Sequence, residues 1–182
     1  MGSTGGNSAG LSVAAGKIQA RIPGLTLRFA QETDTELILE LIRALAEFEK
    51  LTHEVGADAD SLRRALFGGR RVAEVLIAEY GEAPAGFALF FHNFSTFLAK
   101  PGIYLEDLFI KPEFRGKGIG REMLAFLAKL AVERDCGRLE WAVLHWNRRA
   151  IDFYRRLGAQ PLNEWTVYRL TGRALQDLSR RF

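Results

Sequence analysis

A glycine-rich run, Arg115-Gly-Lys-Gly-Ile-Gly120, is the part of this chain whose residue types and spacing most directly suggest chemistry. Alternating glycines let successive backbone N–H groups turn toward one anion, and a helix that begins at the run adds the positive end of its dipole. The run therefore predicts a cradle for a pyrophosphate group. A plain turn between a strand and a helix would use the same glycines, so the run alone leaves both interpretations open.

The spacing of this run excludes two common nucleotide-binding motifs. The phosphate loop of nucleoside triphosphatases requires Gly-x-x-x-x-Gly-Lys-Ser/Thr, and the run offers no such frame. The dinucleotide fingerprint G-x-G-x-x-G fits from Gly116 except that Arg121 stands at its third glycine. The strand predicted before the run also ends too early for that fingerprint, at Ile110.

Asn147 and Tyr154 form a second pair of candidate functional residues. They are seven positions apart on a predicted helix, so they share a face and lie about 10.5 Å apart along the helix axis. Both side chains can then contact the same ligand. The alternative is that Asn147 only caps the helix and that Tyr154 is a packing aromatic with its hydroxyl at the surface.

Length and composition favour a single domain. The 182 residues, 48% of them hydrophobic, suffice for one domain with a proper core and are too few for two of ordinary size. Residues 1–20, which begin with a stretch rich in Gly, Ser and Ala, are predicted to be a disordered leader. Residues 21–182 are predicted to be the domain.

Charge, cysteine content and hydropathy argue against several classes of partner. Lys and Arg number 25 against 22 Asp and Glu, and the net charge of +3 is spread along the chain, so no nucleic-acid partner is expected. The most apolar run, Ala85 to Phe91, is far shorter than the roughly 20 residues that cross a bilayer, so no membrane partner is expected. The lone Cys136 cannot form an internal disulfide, and no Cys/His cluster has metal-ligand spacing. These features predict a cytoplasmic protein without a metal.

Hydrophobic periodicity predicts the elements that must position the candidate residues. The predicted strands are Leu25–Ala30, Val72–Ala78, Pro84–His92, Ile103–Ile110, Leu139–Leu144 and Trp165–Leu170, the last followed by a basic tail. Helices are predicted after the first strand, at about Asp58–Phe67, from Ile119 to about Cys136, and from Asn147 to Gly158. The order β-α-α-β-β-β-α-β-α-β indicates an α/β (α+β) fold, a mixed sheet with helices on its faces.

Three motifs in this order and spacing resemble the GNAT superfamily of N-acetyltransferases. They are the strand Tyr104-Leu-Glu-Asp-Leu-Phe-Ile110, the glycine-rich run, and the segment Trp146-Asn-Arg-Arg-Ala-Ile-Asp-Phe-Tyr-Arg-Arg-Leu-Gly-Ala159. The Leu-Glu-Asp and Trp-Asn runs are similar to those of the diamine acetyltransferase branch, which includes the spermidine/spermine and thialysine acetyltransferases. The likeness extends from about Leu25 to Leu170.

The resemblance implies a mainly antiparallel central sheet, flanked by helices, with a V-shaped opening between the fourth and fifth strands. It implies that acetyl-CoA lies in this opening. In the family, backbone groups matching Leu108, Phe109 and Ile110 pair with the pantetheine arm, and a residue matching Asn147 contacts that arm. The amides that hold the pyrophosphate match Arg115, Gly116, Lys117, Gly118, Ile119, Gly120 and Arg121.

The resemblance also implies direct transfer of an acetyl group from acetyl-CoA to a primary amine of a small molecule, a diamine, a polyamine or a thialysine-like amino acid. An alkylamine with a pKa of about 10.4 must first lose a proton at neutral pH. Strand alternation puts Glu106 on the face of Tyr104, Leu108 and Ile110, with Asp107 on the opposite face. The resemblance marks Glu106 as the catalytic carboxylate on the substrate side and Tyr154 as the general acid that faces the sulfur. A solvated or ion-paired Glu106 is the alternative.

The substrate side departs from the polyamine-acetylating relatives. Glu49, Glu106 and Trp146 are the expected substrate-binding residues, and Glu47 and Glu54 could join them. Lys50 and His53 interrupt the acidic residues, however, and four arginines follow Asn147 on the same predicted helix: Arg148, Arg149, Arg155 and Arg156. This mixed charge weakens the case for spermine and leaves room for an amine that also carries a carboxylate. The arginines form either a solvated helix face or a site for phosphates or an acidic substrate.

Two other functions stay open at the level of sequence. One is acetylation of a lysine or an N-terminus in a protein or peptide, and the other is a non-catalytic acyl-CoA-binding sensor, which would need neither Glu106 nor Tyr154. Members of the branch commonly form homodimers, so the resemblance also implies a homodimer, with Trp165–Leu170 as a strand that can pair across it.

Overall fold

The computed structural model describes residues 16–182, which divide into two compact units at Ala142 and Val143. The first unit contains strands β1 (Ile18–Gln19), β2 (Leu25–Phe29), β3 (Glu74–Tyr80), β4 (Ala83–Ser95), β5 (Lys100–Ile110) and β6 (Leu139–Trp141). Its helices are α1 (Thr35–Glu49), α2 (Ala59–Phe67) and α3 (Ile119–Glu133), with short 3₁₀ turns at Glu32–Asp34, Thr52–Glu54 and Pro112–Phe114. The second unit contains α4 (Arg148–Arg156) and α5 (Gly172–Ser179).

The six strands form one sheet in chain order, β1 to β6. Every neighbouring pair is antiparallel except β5 and β6, which run parallel. The mixed, mainly antiparallel sheet predicted from the sequence is thus confirmed. The predicted fourth and fifth strands are β5 and β6, and their pairing covers only Ile103–Leu105 of β5.

Helices cover both faces of this sheet. On one face, Ile38 and Leu41 of α1 and Leu66 of α2 pack with side chains of the central strands: Val75, Ile77, Phe87 and Phe109. On the other face, the α3 residue Phe126 meets Phe29 edge-on with ring centroids 6.0 Å apart, and Phe29 in turn contacts Phe90. The core therefore lies in two layers, and each strand residue can be assigned to the α1 face or the α3 face.

The end of α1 shapes the region beside β5. Lys50 closes the helix in the left-handed conformation, with φ of 62°, and its N–H donates to carbonyl oxygens in the last turn. The chain then turns sharply into the 3₁₀ turn Thr52–Glu54. This turn brings the residues after α1 back beside the helix that precedes them.

Four features differ from the sequence predictions. Residues 18–19, inside the predicted leader, form β1, and the rest of that leader, residues 1–15, lies outside the described residues. β6 ends at Trp141 instead of Leu144, because it pairs with β5 only as far as Leu105. Trp165–Leu170 is not a strand, since its alternating pattern finds no partner strand within residues 16–182. The predicted basic tail contains α5.

None of the helices in residues 16–182 combines the length and the apolar composition that a bilayer span requires.

Candidate active site

The glycine-rich loop joins the end of β5 to the start of α3. Gly116 and Gly118 adopt φ values of 81° and 84°, a region that other L-residues enter only with strain, so these two positions require glycine. α3 begins at Ile119. The N–H of Arg121 donates to the carbonyl oxygen of Gly118 at 3.0 Å, whereas the N–H groups of Ile119 and Gly120 stand at positions where a helix offers no carbonyl partner. The loop thus presents backbone donors and a helix N-terminus together, an arrangement that fits a pyrophosphate.

Two basic side chains of this loop pack back onto the protein. Arg115 donates its Nε–H to the carbonyl oxygen of Ile110 at 2.9 Å, and its guanidinium lies 4.5 Å from the ring centroid of Phe48. Lys117 places its Nζ 5.3 Å from the ring centroid of Tyr80. Arg115 therefore fixes the loop against the end of β5, so backbone amides rather than this side chain's Nε are available to an anion.

Within residues 16–182, the end of β5 pairs with another strand on one edge only. Leu108, Phe109 and Ile110 pair with β4, whereas β6 pairs with β5 no further than Leu105. The β4 partner of Ile110 is Gly86, where an added Cβ would stand 2.3 Å from the carbonyl oxygen of Phe109. The other edge of these three residues carries backbone groups that can pair with an extended, amide-bearing ligand.

A β-bulge at Glu106 changes which face the following residues occupy. Leu105 pairs with Phe90 and Asp107 pairs with Leu89, so Glu106 has no residue opposite it on β4. Tyr104 and Leu108 therefore lie on opposite faces, so the expectation that both share a face with Glu106 is wrong. Asp107 does not point away from Glu106 either, because both line one pocket. Asp107 follows Leu89 to the α1 face, because paired residues in antiparallel strands lie on the same face.

The bulge opens into a cavity of about 380 Å³ beneath the end of α1, which we call the carboxylate pocket. Its acidic lining residues are Glu49 of α1, Glu54 of the 3₁₀ turn, and Glu106 and Asp107 of β5. Its apolar walls include Ile42, Leu45, Leu51 and Val55. Among the described residues, no Lys, Arg or His lines the carboxylate pocket, so it is suited to a cation with an alkyl chain.

Two acids of the carboxylate pocket, Asp107 and Glu49, have a raised pKa. Burial, followed by the negative charges of Glu106 and Glu49, raises the pKa of Asp107 from its ordinary 3.8 to about 6. Burial also raises the pKa of Glu49. The carboxylates do not converge on a metal ion, because no group of three or more His, Cys, Asp or Glu within residues 16–182 has that geometry.

Asn147 and Tyr154 lie on α4 in the second unit. The Asn147 side-chain oxygen accepts the backbone N–H of Ala150 at 3.2 Å, so the residue is the N-cap of α4, which is compatible with both sequence interpretations. Trp146 lies in the turn just before this cap. Tyr154 lies in the helix, with its ring centroid 5.3 Å from that of Phe153.

The structure brings together two of the three substrate-side residues expected from the sequence, Glu49 and Glu106. Trp146 belongs to the second unit. Sequence reasoning missed Asp107. The sequence did contain a signal for Asp107, because this acid lies among the apolar residues of Leu105–Ile110. Burying an unpaired charge costs free energy, so an acid at such a position is a candidate functional residue.

Comparison with known proteins gives the family. The acetyltransferase (GNAT) family model matches residues 36–159. A thialysine N-epsilon-acetyltransferase of Bos taurus is 40% identical over 164 residues, covering 84% of this chain and 96% of the relative. An L-ornithine N5-acetyltransferase of Arabidopsis thaliana is 35% identical, covering 85% of this chain and 87% of the relative.

Solved structures show the same fold. An integron cassette protein from the mobile metagenome of V. cholerae matches with a TM-score of 0.73 and 25% identity, over 86% of this chain and 98% of that one. An aminoglycoside acetyltransferase from a soil metagenome matches with a TM-score of 0.69 and 19% identity, over 81% and 97%. With the glycine-rich loop, the half-paired β5 and the family match in agreement, the chain belongs to the acetyltransferase (GNAT) family.

Proposed function

We propose that this N-acetyltransferase moves the acetyl group of acetyl-CoA directly to a primary amine of a small molecule, a diamine, a polyamine or a thialysine-like amino acid. The observation that carries this proposal is the carboxylate pocket, in which acidic side chains and apolar walls meet on the strand that leads into the glycine-rich loop. The two relatives are named for acetylation at Nε of thialysine and at N5 of L-ornithine.

Charge next to the carboxylate pocket favours an amino acid amine over spermine. Lys50 and His53 stand in the chain beside the pocket residues Glu49 and Glu54, and His53 pairs with Glu54 at 3.5 Å. A polycation would gain most from acidic residues alone. A substrate with both an ammonium group and a carboxylate group fits a mixed neighbourhood better.

Acetyl-CoA fits two features of the first unit. Its pyrophosphate would be held by backbone amides from Arg115 to Arg121, and its pantetheine arm by Leu108, Phe109 and Ile110 along the free edge of β5. From the resemblance, Asn147 would add a contact to the arm and Tyr154 would face the sulfur. When bound, acetyl-CoA supplies an acetyl group activated as a thioester.

The protein's own task on the amine side is to remove a proton. A free alkylamine with a pKa of about 10.4 is neutral only about once in a few thousand molecules at pH 7. Carboxylates in the pocket attract the ammonium form, and a carboxylate on the amine side, which the resemblance assigns to Glu106, accepts its proton directly or through water. On the other side, Tyr154 protonates the sulfur that leaves.

We further propose that the protein works in the cytoplasm as a homodimer, with neither nucleic acid nor membrane as a partner. The single Cys136 is a free thiol, which suits a reducing compartment. The homodimer follows from the resemblance alone.

The test is release of CoA from acetyl-CoA with polyamines, diamines, thialysine, ornithine and a lysine peptide as acceptors. We expect one small amine to be preferred, and Glu106→Gln to lower its turnover. Asp60→Asn, which removes an exposed carboxylate on α2, is the matched control. Preference for the peptide would favour a protein acetyltransferase. Tight acetyl-CoA binding without turnover of any acceptor would favour a sensor.

A further inference from the structure

We propose that Asp107 is a second catalytic carboxylate on the amine side and that it, rather than Glu106, holds the proton released by the substrate's ammonium group. The proposal rests on the proposed function, because it concerns the same pocket and the same reaction. It changes the assignment made from sequence, in which Glu106 alone received the proton.

The bulge gives Asp107 its position. Because Glu106 is looped out of the pairing, Asp107 occupies the α1 face between Leu105, which lies on the α3 face, and Phe109, which packs in the core under α1. Asp107 is half-buried in the carboxylate pocket, whereas Glu106 is exposed. Of the two adjacent acids, Asp107 is therefore the one shielded from water.

Asp107 differs from other shielded acids of the fold in its charge partners. Asp34 and Glu79 both pair with Arg28, at 2.7 and 2.8 Å. None of the ion pairs formed within residues 16–182 involves Asp107. The pocket acids that share its surroundings are Glu49 from α1, Glu54 from the 3₁₀ turn and Glu106 from β5. A cationic substrate would supply the missing partner.

The chemistry of the step follows from this environment. The ammonium group gives one proton to the Asp107 carboxylate, which leaves a neutral amine and a neutral carboxylic acid. The amine nitrogen then uses its lone pair to form the bond to the acetyl carbon of acetyl-CoA, while the carbon–sulfur bond breaks and the sulfur takes a proton from Tyr154. The nitrogen of the new amide releases its second proton, which restores the Tyr154 hydroxyl directly or through water, and Asp107 loses its own proton to solvent before the next cycle. Burial, followed by repulsion from Glu106 and Glu49, raises the pKa of Asp107 to about 6, which makes it a better proton acceptor than an ordinary aspartate by about a hundredfold.

The proposal predicts that activity decreases at low pH because Asp107 becomes protonated. We call this decrease the acid limb of the pH profile. In the wild-type protein, kcat/KM for the preferred amine should fall as pH drops through about 6, since Asp107 becomes protonated. Asp107→Asn should lower kcat at least tenfold, remove this limb, and leave the dissociation constant of acetyl-CoA within twofold. Glu106→Gln should lower activity yet keep an acid limb.

Glu49→Gln provides a test that does not depend on the folding of Asp107→Asn. Removing the negative charge of Glu49 should lower the pKa of Asp107 and move the acid limb to lower pH. Asp60→Asn, which alters an exposed carboxylate outside the pocket, should leave the limb in place.

Several outcomes would overturn the assignment. The proton acceptor would be Glu106 if the limb vanished in Glu106→Gln and persisted in Asp107→Asn. An acid limb that stayed in place in Glu49→Gln would likewise exclude Asp107. Wild-type protein that acetylates no amine would remove the proposed function and this proposal together, whereas turnover with unchanged pH profiles in the variants would remove only this proposal.

Discussion

Asp107 of β5 pairs with Leu89 of β4, whereas Leu105 pairs with Phe90, so β5 contains one extra residue between these two pairs. Strict alternation from Leu105 would place Asp107 on the α3 face. Because of the extra residue, Asp107 lies on the α1 face instead. There it meets Glu49 and an apolar wall. One extra residue in a strand thus allows two consecutive acids, Glu106 and Asp107, to line the same pocket.

The pocket acid should reduce stability, so Asp107→Asn is expected to make the protein more stable at pH 8. The folded-state pKa of about 6 lies above the ordinary 3.8, so folding favours the protonated form and penalises the carboxylate at high pH. The penalty is at most about 3 kcal/mol above pH 6 and disappears as pH falls below 4. Urea unfolding of both proteins at pH 8 and pH 4 measures it.

Asp34→Asn is the matched control for that measurement. Burial raises the pKa of Asp34, but hydrogen bonds from Arg28 and from the backbone of Gln31 outweigh it and leave the pKa lowered. The Asp34 carboxylate therefore stabilises the fold above its ordinary pKa, and that stability is lost as pH falls through the lowered value. Asp34→Asn should destabilise the protein at pH 8. Equal effects of the two substitutions would contradict the pairing argument.

Gly86→Ala should weaken both the sheet and acetyl-CoA binding. The new Cβ would stand 2.3 Å from the carbonyl oxygen of Phe109 and 3.0 Å from the Cα of Ile110, so the end of β5 must move. We expect a loss of about 2 kcal/mol in the free energy of unfolding and a higher KM for acetyl-CoA. Gly69→Ala, which has nothing within 4 Å of its added Cβ, should change neither quantity.

Gly116→Ala should reduce acetyl-CoA affinity through backbone strain. An alanine has ample room at this position but must hold φ near 81°, at a cost of about 1–2 kcal/mol. We expect acetyl-CoA to bind about tenfold more weakly by calorimetry. Gly120→Ala, a residue of the same loop without a left-handed φ, should bind more nearly like wild type. Equal losses in both variants would argue against strain as the cause.

Tyr154→Phe tests the proposed acid on the sulfur side. Loss of the hydroxyl should lower kcat about a hundredfold and leave the dissociation constant of acetyl-CoA nearly unchanged. Tyr168→Phe, at another tyrosine of the second unit, is the control and should behave as wild type. Unaltered turnover in Tyr154→Phe would reject the acid role.

Local sequence patterns were enough to predict the family motifs, most of the elements and the position of the glycine-rich loop between a strand and a helix. Hydrophobic periodicity and the need for glycine at positive φ act within a few residues, as Gly116 and Gly118 illustrate. The sequence also indicated Glu49 and Glu106 as site residues, through their charge and through the resemblance to the acetyltransferases.

The arrangement of the acidic residues around the carboxylate pocket, in contrast, depends on tertiary contacts. A strand's own alternation cannot reveal a bulge, because the offset at Glu106 exists only relative to Phe90 and Leu89 on β4. The arrival of Glu54 in the same pocket depends on the left-handed stop of α1 at Lys50. Trp165–Leu170 has a strand-like pattern without a strand in residues 16–182, since a β-strand requires a hydrogen-bonded neighbour that local sequence cannot supply.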